Sequence, residues 1–389
     1  MTFNSQVEGL LREKDICSLV QVLKNRPGEF ARRLDHMLRL SSNSDIVLSN
    51  FSDIACKISS PVLLQVLTHF KYRNQRNDLR IFFPKGNVCK VQAIKNNLSR
   101  IEEVVRQKIV DICKKKLIEK YAKLESLGKV YLDTNLKKYT VPFSQRYASK
   151  ALRTIARGSK LDLPEGNTIR CFIWWKDGKT RTDIDLSAIA LNYHHVHKCS
   201  ITYYNLREWG GYHSGDITSA PNGASEFIDI DINKFLKSGI KYVLMSINAY
   251  TEQPFCDLPE CFFGFMMRRR PNSGEIYEPK TVENKIDVTS DTKICIPMII
   301  DLKKRKAIWA DLALTKNPLR NNVRNNMSSL TLMSKAMTSL IKPNLYELFQ
   351  LHVEARGEKT EDKKQADIIF SEKKGITPFD TELIVADFL

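Results

Sequence analysis

Acidic residues recur at alternate positions in two stretches of the chain. The first pair is Asp183 and Asp185 in TRTDIDLSAIAL, and the second is Asp229 and Asp231 in EFIDIDI. Alternate residues of a β-strand share a face, so each pair presents two carboxylates about 7 Å apart. Calcium binds six to eight oxygen atoms from carboxylates, carbonyls and hydroxyls. Strand ends that meet would therefore supply a divalent-cation site.

A turn-rich loop precedes the second pair and reads HSGDITSAPNGASEF, with Asp216 and Glu226 in or beside it. The loop is not an EF-hand, because the chain contains no D-x-D-x-D-G run. An ordinary alternative stays open, since a half-exposed strand alternates apolar and polar residues and Asp is one way to be polar. Asp is depleted in strands, so the repeated DID pattern favours the cation site.

Strands must position these carboxylates, because the periodicity becomes alternating from about Ile169 onward. We expect one hairpin that turns at Asp177-Gly178 and another between KICIPMIIDL and AIWADLAL. The expected strands are IRCFIWW, TRTDIDLSAIAL, CSITYYNL, EFIDIDI, KYVLMSINAY and CFFGFMMR. Many short antiparallel strands with turn signals are typical of a β-sandwich.

Helical periodicity dominates the first part of the chain. Pro27 opens one helix, Ser44 caps another, and a longer helix covers Leu98 to Leu127. Short helices with short turns are typical of an α-solenoid or small bundle. Beyond the strands, Pro343 opens a helix that ends near Ala355, EKTEDKK is a charged linker, and a last helix follows. We therefore predict an α+β multidomain chain with a basic α-helical region (1–157), an antiparallel two-sheet β-sandwich (158–316) and a C-terminal helical extension (317–389).

The basic charge is concentrated near the N-terminus. Residues 1–158 contain 30 Lys and Arg against 14 Asp and Glu, whereas the rest of the chain contains 31 against 30. This asymmetry favours contact with an acidic protein or a nucleic acid, although a solvated lysine-rich helical domain is an open alternative. Few aromatic residues lie among the basic ones, so nucleic-acid contact would be with backbone phosphates. The candidate residues are Arg32, Arg33, Arg73, Arg76, Arg80, Lys85, Lys114, Lys115 and Lys116.

Bulk composition and missing motifs narrow the class of protein. The sequence has no apolar run of about 20 residues, no secretory signal pattern and nine scattered cysteines, which favours a cytoplasmic protein with reduced thiols. Without a CxxC pair, a zinc ribbon is excluded; His195, His197 and Cys199, on one face of a strand, are a weaker zinc alternative. No nucleophile elbow, Walker loop or dinucleotide fingerprint is present. We therefore expect no catalytic residues; the alternative is a metal-dependent hydrolase with a dispersed site at Asp183, Asp185 and Asp216.

The stretch from about Gly158 to Leu314 resembles the TerD family of tellurium-resistance and stress-response domains. The resemblance rests on the order of RGSKLDL, DGKTRTDIDLSAIAL, HSGDITSAPNGASEFIDIDINKF and GIKYVLMSINAY. The C-terminal stretches LHVEARG, ADIIF and GITPFDTELIVADF look like the tail of long bacterial proteins that contain such a domain.

The resemblance implies a two-sheet β-sandwich that binds calcium through loop and strand-end acids and has no established catalytic activity. The ligands that it implies are Asp183, Asp185, Asp216, Glu226 and Asp229. The chain departs from the family pattern in the loop ITSAPNGAS, which contains no acid where the family usually has several. The implied role is that of a cytoplasmic binding or scaffold protein, with protein partners, in a bacterial stress-response or defence system such as tellurite or phage resistance.

Overall fold

The computed structural model describes residues 2–75, 78–83, 92–143, 155–251, 253–271, 282–288, 290–314 and 323–389, except the side chains of 282–286 and 323–326. The chain divides into two compact units. The helical unit comprises Met1–Asn77, Asn96–Phe143 and Ile341–Leu389, and the β-rich unit comprises Asp78–Lys95 and Ser144–Leu340. This division differs from the three consecutive regions predicted, because the last 49 residues join the first helices.

Helices and strands together give a mixed α/β structure. The helices of the described residues are α1 (Phe3–Glu13), α2 (Ile16–Lys24), α3 (Pro27–Leu40), α4 (Ser44–Ile54), α5 (Ser60–Tyr72), α6 (Glu103–Tyr121), α7 (Ile232–Lys237), α8 (Val323–Ser339), α9 (Leu345–Arg356) and α10 (Thr381–Phe388). The strands are β1 (Leu79–Phe82), β2 (Gln92–Lys95), β3 (Gly128–Leu132), β4 (Lys160–Asp162), β5 (Thr168–Lys176), β6 (Ile184–Asn192), β7 (His197–Ile201), β8 (Arg207–Glu208), β9 (Gly211–His213), β10 (Ala224–Asp231), β11 (Ile240–Ala249), β12 (Glu260–Arg268), β13 (Val282–Asp287), β14 (Ile294–Asp301), β15 (Lys306–Ala313), β16 (Gly357–Thr360) and β17 (Ile368–Phe370). No helix of the described residues combines the length and apolar character that crossing a membrane requires.

The helices of the helical unit follow local sequence signals. Pro27 occupies the first turn of α3, as predicted, and the apolar face that begins at Phe30 is buried. Each such side chain stabilises the fold by about 1.5–3 kcal/mol. The long helix α6 is shorter than the predicted Leu98–Leu127. Leu124, the last residue of the predicted apolar stripe, is 46% exposed.

A small parallel sheet completes the helical unit. The central strand β3 pairs with β16 on one side and with β17 on the other, in the order β16-β3-β17. The prediction of a charged linker over EKTEDKK is therefore wrong at its start, because Glu358 and Lys359 belong to β16. Parallel pairing with a distant strand leaves no local signal. The rings of Phe349, Phe370 and Phe388 pack against one another behind this sheet.

Besides the antiparallel pair of β1 and β2, the described strands of the β-rich unit form two six-stranded antiparallel sheets. Their orders are β13-β12-β5-β10-β9-β8 and β4-β15-β14-β11-β6-β7. The predicted hairpin between β14 and β15 is confirmed. The predicted hairpin at Asp177-Gly178 is wrong, because β5 and β6 lie in different sheets. The crossing segment is held by the indole Nε1 of Trp175, which donates to the Thr182 carbonyl at 3.1 Å, and by Asp177 Oδ1, which accepts from the Thr182 amide at 3.1 Å.

Helix α8 covers part of the second sheet, so strands such as β6 and β11 are buried on both faces. Leu330, Met333 and Met337 of α8 pack against Ile189 and Leu244 in one apolar cluster. Farther along the same face of β6 the residues are polar: Ser187, Asp185 and then Asp183. The acidic pair therefore lies where the helix-covered core ends, in a buried environment and not on the solvated face that the ordinary alternative assumed.

Candidate metal centre

Three of the five predicted acidic residues come together at one end of the β-rich unit. One carboxylate oxygen from each of Asp183, Asp185 and Asp216 lies within 4.8 Å of the other two. Asp185 belongs to β6, Asp183 immediately precedes it, and Asp216 lies on the loop after β9. Asp183 and Asp185 are buried and Asp216 is exposed, so the cluster opens toward solvent on the loop side. Carboxylate oxygens this close to one another can share one cation.

The electrostatics of the cluster favour a positive ligand. The pKa of Asp185 is raised to about 8, chiefly by burial and in addition by the neighbouring charges of Asp183 and Asp216. Burial also raises the pKa of Asp183, with Asp216 adding to the effect and Arg181 opposing it. Like charges within a few ångströms disfavour ionisation of one another, and a cation between them removes that cost.

Strand β11 places further polar groups beside the carboxylates. In the β6–β11 ladder Asn248 is the partner of Asp185 and Ser246 is the partner of Ser187, so these side chains share a face. Asn248 is 1% exposed, and neither its Oδ1 nor its Nδ2 has a hydrogen-bond partner among the described residues. Asp183 Oδ1 and Ser246 Oγ are also buried without a partner there. Buried polar atoms are rarely left unbonded, so these atoms fit the edge of a ligand site.

Sequence reasoning missed Asn248 and Ser246. The signal was available, because polar residues alternate with apolar ones in LMSINAY. Only the register with β6 shows that this polar face adjoins Asp185.

The HSGD turn delivers Asp216 to the cluster, and each of its residues has a structural role. Ser214 is tied to β10 in both directions: its amide donates to the Phe227 carbonyl and its Oγ accepts from the Phe227 amide, each at 2.9 Å. Gly215 has a φ of +119°, which side-chain-bearing residues rarely adopt. The imidazole of His213, 1% exposed, points into the interior.

Glu226 lies beside the three-oxygen cluster and is not part of it. It is fully buried, and its two oxygens accept the amides of Leu186 at 3.0 Å and Ile217 at 2.9 Å. Burial raises the pKa of Glu226 to about 8, against the lowering effect of these two backbone hydrogen bonds. His213 Nε2 lies 3.6 Å from Glu226 Oε2. Burial lowers the pKa of His213, so the ring is neutral and the pair is no ion pair.

The structure does not bring Asp229 to the cluster. Its two oxygens accept hydrogen bonds from Arg170 Nε and Nη2, each at 2.7 Å, and the pair is buried. Strand alternation explains the difference, because Glu226 and Ile228 point inward from β10 while Asp229 points to the other face. The remaining acid of that stretch, Asp231, caps α7 by accepting the Lys234 amide.

Most of the predicted basic residues are paired within the helical unit. Arg32 and Arg33 both contact Glu29, and buried Arg73 contacts Asp35. Lys114 contacts Glu354 and Lys116 contacts Glu119, each at 2.8 Å, whereas Lys115 is exposed. Arg80 belongs to the β-rich unit, where it lies over the Phe82 ring. Arg76 and Lys85 lie outside the described residues.

The histidines of HHVHKCS do not share a strand face with Cys199. His195 has a φ of +60° in the turn before β7, which breaks the alternation, and its ring stacks on Tyr242. His197 begins β7 and is exposed whereas Cys199 is buried, because the ladder with β6 shifts its register between these two residues. The weaker zinc alternative is therefore wrong in its geometry.

No family model and no curated protein matches this chain. Two solved structures are similar to part of it: a protein of unknown function, SAV2460, at 13% identity with a TM-score of 0.30, and a homologue of the telluride resistance protein TerD, SCO6318 from Streptomyces coelicolor A3(2), at 10% identity with a TM-score of 0.33. Each alignment covers 40% of this chain and 94% of that chain. The structural neighbours thus include a TerD homologue.

Proposed function

We propose that the protein is a non-enzymatic binding or scaffold protein whose β-rich unit binds a divalent cation, calcium, through Asp183, Asp185 and Asp216. The observation that carries the proposal is the approach of three carboxylate oxygens to within 4.8 Å of one another beside buried polar atoms without partners. A bound cation would neutralise the cluster and give those atoms a partner.

The chemistry of the donors supports calcium over a transition metal. The three carboxylates and the Asn248 amide offer oxygen atoms, which hard cations prefer, whereas zinc prefers His and Cys. Asp183, Asp185 and Asp216 would bind the ion directly, and Asn248 Oδ1 would add a neutral ligand. Calcium accepts irregular oxygen sets of this kind, and solvent at the exposed Asp216 side would complete its coordination.

The biological setting proposed is a bacterial stress-response or defence system of the tellurite- or phage-resistance type, in the cytoplasm. Its support is the sequence resemblance to TerD domains over RGSKLDL, the DIDL strand and the HSGD turn. We include in this proposal the finer architecture: the two sheets are the layers of a TerD-like β-sandwich, and α1 to α5 are a solenoid or bundle that receives a protein partner. The hydrogen bond from the Leu186 amide of β6 to Glu226 of β10 supports the layered arrangement.

The test is calorimetric titration of calcium into chelator-treated full-length protein. The wild type should bind with measurable heat, and Asp183→Asn/Asp185→Asn should not. Asp162→Asn is the control, because Asp162 is an acidic residue of the same unit that pairs with Lys306 instead of the cluster. Absence of heat in the wild type at millimolar calcium would refute the proposal.

The second candidate function is nucleic-acid or acidic-partner binding by the basic region of residues 1–158, which includes segments of both units. The charge excess of residues 1–158 supports it, and exposed Lys115 is available for such a contact. Binding of a labelled DNA duplex, followed by fluorescence anisotropy, should weaken steeply with salt and weaken further in Lys115→Glu. A salt-independent signal would exclude this function.

The third candidate function is metal-dependent hydrolysis at the carboxylates of Asp183, Asp185 and Asp216. It predicts turnover of a model phosphate ester, which Asp185→Asn should abolish.

A further inference from the structure

Glu226 connects the two parts of the chain that carry the candidate ligands. The Leu186 amide, which it binds at 3.0 Å, belongs to the peptide that follows Asp185. The Ile217 amide, which it binds at 2.9 Å, belongs to the peptide that follows Asp216. One fully buried carboxylate therefore fixes the backbone immediately after a strand-borne and a loop-borne member of the cluster.

His213 makes a parallel connection. Its Nδ1 accepts the Gly215 amide at 3.0 Å, so the neutral ring carries its proton on Nε2, which donates to the Leu186 carbonyl at 3.0 Å. His213 thereby ties the Ser214–Gly215 peptide, in the turn that leads to Asp216, to the same residue of β6. The Leu186 amide thus donates to Glu226, and the Leu186 carbonyl accepts a hydrogen bond from His213.

These two side chains act where strand pairing stops. In the β6–β7 ladder the first paired residue of β6 is Ala188, and Leu186 lies beyond it in the part of the sheet that the structure describes. The amide and carbonyl of Leu186 would otherwise be buried without partners, at a cost of about 1–3 kcal/mol each. The cluster thus depends on side chains from β9 and β10 to hold its strand and its loop together.

We infer that Glu226, assisted by His213, is a positioning residue that sets Asp216 against Asp183 and Asp185, and that it is not a cation ligand. This inference rests on the proposed calcium function. Both oxygens of Glu226 already accept backbone amides, and the three-oxygen group within 4.8 Å does not contain Glu226. Asp216 is the exposed, loop-borne member of the cluster, so its position needs support from outside the strand.

The test is a double-mutant cycle on calcium affinity in the full-length protein, with Glu226→Gln, Asp216→Asn and the double variant. Loss of an outer-shell partner weakens metal binding by about 10- to 100-fold, and we expect that loss for Glu226→Gln. Because Glu226 acts through Asp216, Glu226→Gln should cause little further loss in the Asp216→Asn background. Independent, multiplicative losses, or an unchanged affinity in Glu226→Gln, would overturn the inference.

A second variant separates position from charge and from folding failure. Glu226→Asp keeps the carboxylate but is one methylene shorter, so it cannot span the Leu186 and Ile217 amides together. It should lose affinity although its charge remains, and wild-type affinity in Glu226→Asp would contradict the bracing role.

Hydrogen exchange decides the inference even without calcium. In Glu226→Gln the amides of Leu186 and Ile217 should exchange at least tenfold faster than in the wild type, while those of β14 stay protected. An unchanged exchange rate of the Ile217 amide in Glu226→Gln would contradict the positioning role of Glu226. A wild type that binds no calcium would instead overturn the proposed function and leave this exchange measurement to decide the role of Glu226.

Discussion

Asp185 and Asp229 are two buried aspartates for which the same substitution has opposite expected consequences. Asp185 is 5% exposed and faces the like charges of Asp183 and Asp216, whereas Asp229 is 8% exposed and holds Arg170 with two hydrogen bonds. In metal-free protein, Asp185→Asn replaces a carboxyl group whose ionisation is opposed by burial and by the like charges of Asp183 and Asp216. Asp229→Asn leaves a buried guanidinium without its counter-charge. We therefore expect the first variant to be more stable than the wild type and the second to be less stable.

The pKa of Asp185 gives the magnitude. It rises from 3.8 to about 8, and one pKa unit corresponds to about 1.4 kcal/mol, so keeping Asp185 protonated in the fold while the unfolded chain ionises costs up to about 5 kcal/mol at pH 7.5. Asn is itself polar and buried, so we expect a net gain of about 2–3 kcal/mol. Because the folded-state pKa lies above the unfolded value, wild-type stability falls as the pH rises from about 4 to about 8. The gain of Asp185→Asn should therefore shrink to under about 1 kcal/mol at pH 4.5.

Urea unfolding of both variants in chelator, at pH 4.5 and pH 7.5, measures these changes. Asp229→Asn should lose about 3–5 kcal/mol at pH 7.5, because breaking a buried ion pair leaves an uncompensated charge. Excess calcium should stabilise the wild type more than Asp185→Asn, because the variant lacks a ligand. If Asp185→Asn destabilises the metal-free protein at pH 7.5 as Asp229→Asn does, the reasoning from charge repulsion is wrong.

Three further substitutions test other parts of the structure. Gly215→Ala should lower the free energy of unfolding, measured in urea, by about 1–3 kcal/mol, because the φ of Gly215 is +119°. Gly9→Ala is the control: Gly9 lies in α1 with open space around it, so this substitution should not destabilise the protein. Burial alone would raise the pKa of Asp35, but hydrogen bonds from His69, Arg73 and Arg39 hold it below its usual value. The helical unit should therefore lose stability as the pH falls below about 4. At pH 7, Asp35→Asn should lower the free energy of unfolding by about 3–5 kcal/mol, measured by hydrogen exchange in α3 and α5. A stability difference between wild type and variant that does not change with pH would refute this prediction. Phe370→Ala should lower the free energy of unfolding by about 3–5 kcal/mol and speed hydrogen exchange at the amides of β3 and α9. Phe82→Ala, at a 43% exposed site, should lower it by under about 1 kcal/mol in a hydrogen-exchange measurement of the same kind.

Local patterns in the sequence predicted elements better than connections between them. Helix α3 and the β14–β15 hairpin follow from Pro27, from helical spacing and from a tight basic turn. The turn signal at Asp177-Gly178 marks a real change of direction, but a turn signal does not say whether the chain returns to the same sheet. Strand β16 was missed for a related reason, since its partner β3 lies far away in sequence.

The candidate site shows the same limit. Residue type and alternation selected Asp183 and Asp185, whereas Asp216 was selected by its place in the turn-rich loop and by the resemblance to TerD domains. Alternation also selected Asp229, and only the three-dimensional arrangement shows that Arg170 neutralises it. Conversely, Asn248 adjoins Asp185 through strand register, which a single sequence does not contain.

The parallel sheet around β3 also sets an order of events during synthesis. Gly128 at the start of β3 pairs with Gly357, 229 positions later. At a translation rate of about 5–20 residues per second, β3 leaves the ribosome roughly 10–50 s before its neighbours exist. During that interval both edges of β3 are open for pairing with any extended segment, including another nascent chain. The helical unit can therefore complete its fold only after residues 341–389 are made, later than the strands of the β-rich unit, although α1 to α5 are made before those strands.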